Sequence, residues 1–278
     1  MNYRECLKDK KRIVVKIGSS SLTHSETGNI DLSKLEKLVR VLTNIRNMGK
    51  DVVLVSSGAI AVGRNKMGLK PGKLSLPEKQ ACAAIGQATL MMIYQKLFSE
   101  YGQNVAQVLM TKITMVNEPN RTNAVNTFNE LLNLGVIPIV NENDTVSTDE
   151  IQVGDNDRLS AIVSVLSNAD LLILLSDIDG LYTDDPNKNP DAKMVKLVEK
   201  IDEHLEDMGK ESSSSGIGTG GMSAKIKAAK IATKSGIDMV ISNAFDVSIV
   251  EDIVNGKDIG TLFIANKDDS YNILNELD

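Results

Sequence analysis

Apolar residues recur along the chain in two patterns, and their alternation predicts strands separated by helices. Short apolar runs predict buried strands, whereas apolar residues three or four positions apart predict helices. Between residues 31 and 48, Leu35, Leu38 and Leu42 follow the helical spacing, and a longer Ala- and Met-rich helix is predicted over about Pro77–Tyr101. The predicted strands are Arg12–Ile17, Asp51–Val55, Val105–Met110, Val136–Val140, Leu171–Leu175, Met239–Ser242 and Thr261–Ile264.

The order of these elements predicts the fold class. Strand and helix alternate throughout, which is typical of an α/β fold with a parallel sheet covered by helices on both faces. Asp31 or Ser33 can cap the helix over 31–48, and Gly49 can end it. A length of 278 residues suits either one large α/β domain or two ordinary ones.

Composition narrows the class of protein further. Aromatic residues make up only 3% of the chain and Trp is absent, so the core is predicted to be aliphatic. The net charge of −6 argues against a protein that binds nucleic acid. Two cysteines, Cys6 and Cys82, do not make a disulfide scaffold and favour a cytoplasmic protein, with Cys82 an inert thiol in the core. No apolar run approaches the roughly 20 residues of a membrane span, and only His24 and His204 are available for zinc or triad chemistry.

Two polar clusters predict a binding pocket. The stretch Val153–Ala161 places two carboxylates and an amide in a glycine-opened turn ahead of a helical pattern. The cluster Asn141–Asp144 directly follows the predicted strand Val136–Val140. Polar residues at the carboxyl ends of strands are where open α/β sheets bind ligands. The pair indicates a pocket for a small, charged, zwitterionic molecule.

Two lysines and two hydroxyl-rich loops indicate an anionic ligand. Lys16 ends a buried strand beside the loop Gly18–Ser21, and Ser56–Ala59 repeats that arrangement at the next strand. Each feature also has a purely structural interpretation. Lys16 alone is explained by a strand-end lysine whose ammonium group reaches solvent, and Ser56–Ala59 alone is explained by a helix cap. Lys225 lies in the first turn of a predicted helix, where the helix dipole disfavours a cation unless an anion is bound.

The segment Ser212–Gly221 has two interpretations. Its composition suits a flexible linker, but a glycine-rich loop leading into a helix is also an anion site, which favours a phosphate-binding lid. Ser176 and Asp177 follow another predicted strand. Gly/Ser/Asp loops with two lysines and no histidine suit phosphoryl transfer, which needs mainly positioning and charge neutralisation. A carboxylate acceptor is already ionised at neutral pH, so Asp157 is predicted to orient the lysines and not to act as a base.

Six stretches of the chain, in order, resemble the amino acid kinase family over nearly its whole length. The first stretch, Val14–Ser20, is common across that family, whereas the last three stretches, which begin at Val153, Ser176 and Gly218, are together more specific. Ser56 and Ser176 stand where Thr is common in relatives, and both keep the hydroxyl. The six are Val14–Ser20, Ser56–Ile60, Asn141–Asp144, Val153–Asp157, Ser176–Asp177 with Gly180–Thr183, and Gly218–Lys225.

The resemblance implies a three-layer αβα sandwich formed by a single domain over 1–278, whose N-terminal part binds an amino acid and whose C-terminal part binds ATP. It implies transfer of phosphate from ATP with Mg²⁺, held mainly by the nucleotide phosphates, to the γ-carboxylate of L-glutamate, the first step towards proline. It also implies a homo-oligomer, and many relatives carry a C-terminal PUA domain for which this chain ends too soon. Relatives are often inhibited by proline. The implied roles are catalysis by Lys16, Lys225 and Asp157, glutamate binding by Ser57, Asp144 and Asn156, and ATP binding by Lys16, Ser176, Asp177, Thr219, Gly220, Gly221, Met222, Ser223, Ala224 and Lys225.

Three alternatives stay open at this point. A kinase of the same fold could act on N-acetylglutamate, but acetylation removes the ammonium group that Asp144 would pair with. A uridylate kinase would need more basic residues around its nucleotide monophosphate. A catalytically inactive sensor could keep the fold and bind glutamate or proline, but the presence of both Lys16 and Lys225 argues against it.

Overall fold

A computed structural model of the chain contains an eight-stranded central sheet, as the alternating pattern predicts. The structure describes residues 2–70, 72–146, 156–184, 189, 191–202, 205 and 221–276. The sheet strands are β1 Arg12–Ile17, β2 Asp51–Ser56, β3 Val105–Met110, β4 Ile137–Glu142, β5 Leu171–Ser176, β8 Leu197–Val198, β9 Asp238–Asn243 and β10 Thr261–Phe263. A separate antiparallel pair joins β6 Leu181–Tyr182 to β7 Met194–Val195.

The helices cover both faces of the sheet, which confirms a three-layer αβα arrangement. One apolar cluster includes residues of α2, α4 and α9, and the other includes residues of α6, α7 and α8. Within the described part of the chain, no helix combines the length and the hydropathy that a membrane span requires. The described helices are α1 Ser19–Leu22, α2 Leu32–Asn47, α3 Ala59–Lys66, α4 Leu76–Ser99, α5 Lys112–Val116, α6 Glu118–Asn133, α7 Asn156–Leu166, α8 Met222–Lys234 and α9 Ile249–Val254, with 3₁₀ turns at Glu5–Asp9 and Ile273–Glu276.

The strand order defines where a ligand crevice belongs. The order is β3-β4-β2-β1-β5-β9-β10-β8, and every neighbouring pair is parallel except β9 with β10. The chain builds outward from β1 in one direction through β2, β4 and β3, then returns to the other side of β1 with β5. Crevices at such switch points, outside the carboxyl ends of the strands, are the usual ligand sites of open α/β sheets.

The structure corrects the predicted end of β4 and confirms the predicted start of α2. β4 continues through Asn141 and Glu142, which are buried and pair with Leu109 and Met110 of β3. The prediction that these two polar residues lie in a loop is therefore wrong. The carboxylate of Asp31 accepts the backbone N–H of Lys34, which confirms it as the cap of α2.

Two glycines bring α3 and α4 into direct backbone contact. A Cβ atom on Gly63 would lie 1.8 Å from the carbonyl oxygen of Cys82, and one on Gly86 would lie 1.8 Å from that of Ala59. Only glycine leaves room for so close a crossing. Cys82 is buried in this contact, as predicted for an inert thiol. The crossing fixes the start of α3, two residues after Ser57, relative to α4.

Candidate active site

A buried carboxylate with two lysine partners lies at the carboxyl edge of the sheet. Lys16 comes from β1, Asp157 from the first turn of α7 and Lys225 from the first turn of α8. The Nζ atom of Lys16 lies 2.5 Å from Oδ1 of Asp157, and the Nζ atom of Lys225 lies 3.2 Å from Oδ2. The three residues are only 8%, 1% and 5% exposed, respectively. Residues far apart in the sequence therefore form one compact charged group.

The electrostatics of this group favour an anionic ligand. Burial raises the pKa of Asp157, but the charges and hydrogen bonds of Lys16 and Lys225 outweigh burial, so the pKa is lowered overall. Asp157 is thus ionised at neutral pH, and the lowered pKa makes its carboxylate a weak proton acceptor. Two ammonium groups share this one carboxylate in a site shielded from water, and such a pair of cations attracts anionic ligands. A phosphoryl group is the kind of anion that fits.

The backbone dictates the position of both lysines. Lys16 is the fifth residue of β1 and lies in register between Val55 of β2 and Leu174 of β5. Lys225 lies in a helix that begins at Met222 with Gly221 as its N-cap. The N–H groups of a first helical turn have no partners within the helix and attract anions. Both lysines therefore meet at Asp157, beside the N-terminus of α8.

An amide network lies beside the charged group. The side-chain amide of Asn156 donates to Oγ of Ser57 at 2.5 Å and to Oδ1 of Asn141 at 3.2 Å. The amide of Asn141 in turn donates to Oε1 of Gln87 at 3.0 Å. Ser57 and Asn156, both predicted to bind the substrate, are thus adjacent. Because Asn156 precedes Asp157 in α7, the network and the charged group share one helix turn.

Gln87 belongs to the candidate site but was not predicted from the sequence. It lies on α4, is 8% exposed and fixes the orientation of Asn141. Its signal in the sequence is one polar residue within the apolar pattern of a long helix. That signal does not distinguish a polar residue on the solvent face from one turned inward, because both have the same spacing.

Asp144 lies in the turn that follows β4, three residues beyond Asn141, and is half-buried. The backbone N–H of Asn143 donates to the carbonyl of Met110 at 2.7 Å and anchors that turn to the end of β3. The predicted substrate residue therefore lies on the same sheet edge as Ser57 and Asn156, on the side of β1 occupied by β2, β4 and β3.

A cleft of about 850 Å³ opens on the other side of β1 and is lined by Ser176 and Asp177. Oγ of Ser176 donates to Oδ1 of Asp177 at 2.9 Å, and the carbonyl of Ser176 accepts the N–H of Ala244 at 2.7 Å. The loops after β5 and β9 are therefore tied together at the wall of the cleft. Thr219 and Gly220, both predicted to bind ATP, lie outside the described residues, as do 153–155 and 212–218. The other predicted ATP residues, Gly221, Met222, Ser223 and Ala224, form the cap and first turn of α8.

Metal binding by side chains alone finds no support in the described ranges. No group of three or more His, Cys, Asp or Glu residues there could hold a metal ion.

The fold and this site define a protein of the amino acid kinase class. The model of the amino acid kinase family matches residues 11–243, and the chain belongs to that family. It is 54% identical over 268 residues to the glutamate 5-kinase of Clostridium perfringens (strain 13 / Type A), covering 95% of this chain and 99% of that protein. It is 52% identical over 264 residues to the glutamate 5-kinase of Carboxydothermus hydrogenoformans, covering 95% of this chain and 70% of that protein.

Solved structures of low sequence identity share the fold. A carbamate kinase from Giardia lamblia bound to AMP-PNP superposes with a TM-score of 0.65 at 17% identity, covering 94% of this chain and 100% of that one. A UMP kinase from Bacillus anthracis superposes with a TM-score of 0.59 at 16% identity, covering 92% and 97%. The predicted fold class is therefore confirmed.

Proposed function

We propose that this protein is a glutamate 5-kinase, which transfers the γ-phosphoryl group of ATP to the γ-carboxylate of L-glutamate. The products are L-glutamyl 5-phosphate and ADP, and the reaction is the first step towards proline. The observation that carries the proposal is the buried group of Lys16, Asp157 and Lys225 beside the Ser57–Asn156 amide network. High identity to glutamate 5-kinases over nearly the whole chain supports the choice of substrate.

The acceptor needs no base. A side-chain carboxyl with a pKa of about 4.3 is ionised at neutral pH. One of its oxygens attacks the γ-phosphorus, a new oxygen–phosphorus bond forms, and the bond from that phosphorus to the leaving ADP oxygen breaks. No proton is removed from the acceptor. The lowered pKa of Asp157, which keeps it ionised, agrees with a role in holding the two lysines.

The two lysines supply the charge stabilisation. In phosphoryl transfer, charge spreads over the oxygens of the transferring group, and preorganised cations stabilise it. Lys16 and Lys225 enter the site from opposite sides of Asp157, which fixes both ammonium groups before substrate binds. Mg²⁺ carried by the nucleotide phosphates would neutralise further charge.

Substrate binding divides between the two sides of β1. We assign the α-ammonium group of glutamate to Asp144, because a carboxylate pairs with a cation. We assign the carboxylates of glutamate to Ser57 and Asn156, because hydroxyl and amide groups donate hydrogen bonds to carboxylates. We assign ATP to Ser176, Asp177 and the segment 219–225, with the phosphates at Lys16 and Lys225. On this proposal the N-terminal strands hold the amino acid and the C-terminal strands hold the nucleotide. Proline inhibition, homo-oligomerisation and a cytoplasmic location stay predictions of the same proposal.

Trapping the acyl phosphate tests the function. Purified protein given L-glutamate, MgATP and hydroxylamine is expected to form a hydroxamate, and omission of glutamate should abolish both the hydroxamate and ADP release. N-acetylglutamate and UMP serve as competing acceptors in parallel reactions. Turnover of either competitor without turnover of glutamate would overturn the proposal, and binding of glutamate without any ADP release would identify a sensor.

A further inference from the structure

Phe245 differs from the other three phenylalanines in its exposure to solvent. Phe98, Phe128 and Phe263 are fully buried, whereas Phe245 is 87% exposed. A single exposed apolar residue is ordinary on a protein surface, so exposure alone carries no meaning. The location of Phe245 is informative, because this residue lines the same cleft as Ser176 and Asp177.

The backbone around Phe245 is held by specific hydrogen bonds. Its N–H donates to Oδ1 of Asn243 at 2.7 Å, and the amide of Asn243 donates to Oδ1 of Asp179 at 2.9 Å. The N–H of the preceding residue, Ala244, donates to the carbonyl of Ser176 at 2.7 Å. The loop that carries the ring is therefore fixed to the loop after β5. The ring is thus carried on an anchored backbone and offers a flat apolar surface at the cleft.

The charges around Phe245 indicate which end of a nucleotide lies there. Among the described residues, the cleft is lined by Asp177, Asp179, Asp246 and Asp258 and by Lys34 and Lys196. Asp246 pairs with Lys37 and Asp258 with Arg4, whereas Asp177 and Asp179 accept hydrogen bonds from neutral groups of Ser176 and Asn243. Hydrogen bonds from Lys37 and from Ser248 lower the pKa of the neighbouring Asp246 to about 2, so that carboxylate stays charged. Carboxylates at the wall of the cleft accept hydrogen bonds from ribose hydroxyls and from a base amino group, so they suit that end of a nucleotide. The phosphate end then points towards Lys16 and Lys225.

We propose that Phe245 is a nucleotide-binding residue whose ring stacks on the purine base of ATP at this cleft. The inference rests on the proposed role of ATP as phosphoryl donor. Base–aromatic stacking is sequence-tolerant and strong enough to change affinity by about tenfold. The site would therefore hold the nucleotide at two separate places, with the base on Phe245 and the phosphates on the buried lysines.

The chain contains no Trp, which makes a direct optical test possible. In Phe245→Trp the new indole is the sole tryptophan, and titration with MgADP is expected to change its fluorescence saturably. Leu134→Trp is the matched control, because Leu134 is 67% exposed and does not line the cleft. The control signal should stay flat. Binding of ADP to both variants is measured independently by equilibrium dialysis.

Kinetics provide the second measurement. Phe245→Ala is expected to raise the KM for ATP about tenfold, with kcat and the KM for glutamate within about twofold of wild type, and Phe245→Tyr should restore the KM for ATP. Inhibition by inorganic tripolyphosphate, which lacks a base, should be equal in Phe245→Ala and wild type. A wild-type KM for ATP in Phe245→Ala would overturn the stacking proposal while leaving the phosphoryl-donor role intact. If equilibrium dialysis shows that the Phe245→Trp variant binds ADP while its indole fluorescence stays unchanged, the stacking proposal is likewise overturned. Absence of ADP binding in wild type would overturn both.

Discussion

At the scale of single residues, the two lysines of the charged group make the sharpest prediction. Lys16→Met and Lys225→Met keep most of the apolar stem and remove the charge. Either variant is expected to lower kcat by about 10²–10³, which is the usual loss when one preorganised partner of transition-state charge is removed. The measurement is hydroxamate formation at saturating glutamate and MgATP.

The fold should survive these changes, because Asp157 keeps one lysine partner in each variant. Lys227→Ala is the matched control, since Lys227 is exposed on the same helix as Lys225. Near-normal turnover in either Met variant, or an equal loss in Lys227→Ala, would contradict the assignment.

Asp157 makes a separate prediction that concerns stability and pH. Replacement by Asn leaves two buried ammonium groups without their carboxylate, and breaking a buried ion pair from one side costs about 3–5 kcal/mol. The pKa of Asp157 in the folded protein is lowered from its ordinary value of 3.8. Its contribution is therefore present above that value and is lost as the pH falls through the lower folded-state pKa.

Urea unfolding of wild type and Asp157→Asn at several pH values measures this contribution. The difference in unfolding free energy is expected to be constant from pH 8 to about pH 5 and to narrow in more acidic solution. A difference that persists unchanged into strong acid would mean that the carboxylate contributes through packing and not through charge.

At the scale of elements, the crossing of α3 and α4 supports the substrate side of the site. Gly86→Ala places a methyl group against the carbonyl of Ala59, so the helices must separate. We expect a loss of about 1–3 kcal/mol in stability and a higher KM for glutamate, because α3 begins after Ser57 and α4 carries Gln87. Ala84→Ser is the control, since Ala84 is exposed on the same helix.

The KM distinguishes a positioning role from a purely structural one. If Gly86→Ala lowers the melting temperature while both KM values stay at wild-type levels, the crossing stabilises the fold without positioning the amide network. A selective rise in the KM for glutamate supports the network.

Elements buried on both faces were the most predictable from sequence. β1 begins and ends at the predicted residues, because a strand covered on both faces has a nearly continuous apolar sequence. The bounds of β3 were also predicted, although it lies at the edge of the sheet and is partly exposed. The predicted end of β4 lies two residues too early, since Asn141 and Glu142 interrupt the apolar run while their backbones keep pairing with β3. Asn141 belongs to the amide network, so the apolar pattern failed at a residue of the candidate site.

The site was predictable in its members but not in its geometry. Lys16, Asp157 and Lys225 stand out individually, yet nothing local in the sequence shows that Asp157 bridges two lysines from different elements. Gln87 was missed because helical spacing does not reveal which polar residue faces inward. Long-range contacts of this kind arise from the strand order, which places the start of α7 over β1 and next to α8.

At the scale of the whole molecule, the strand order predicts that the two substrates are held independently. Asp144 follows β4 on one side of β1, and Asp177 follows β5 on the other. Charge-assisted hydrogen bonds contribute roughly 1.5–3 kcal/mol. Asp144→Asn is therefore expected to raise the KM for glutamate about 10- to 100-fold and to leave the KM for ATP within about twofold of wild type.

Asp177→Asn is the matched variant on the nucleotide side, and it should raise the KM for ATP about tenfold while the KM for glutamate stays unchanged. Both substitutions remove one negative charge and keep the shape of the side chain, so a general electrostatic effect would act on both variants alike. Melting temperatures separate a folding defect from a binding defect. The double variant should show both increases together without further loss, because distant sites add. If instead each single variant raises both KM values equally, the two sides of β1 are coupled and the division of the molecule into a glutamate side and an ATP side is wrong.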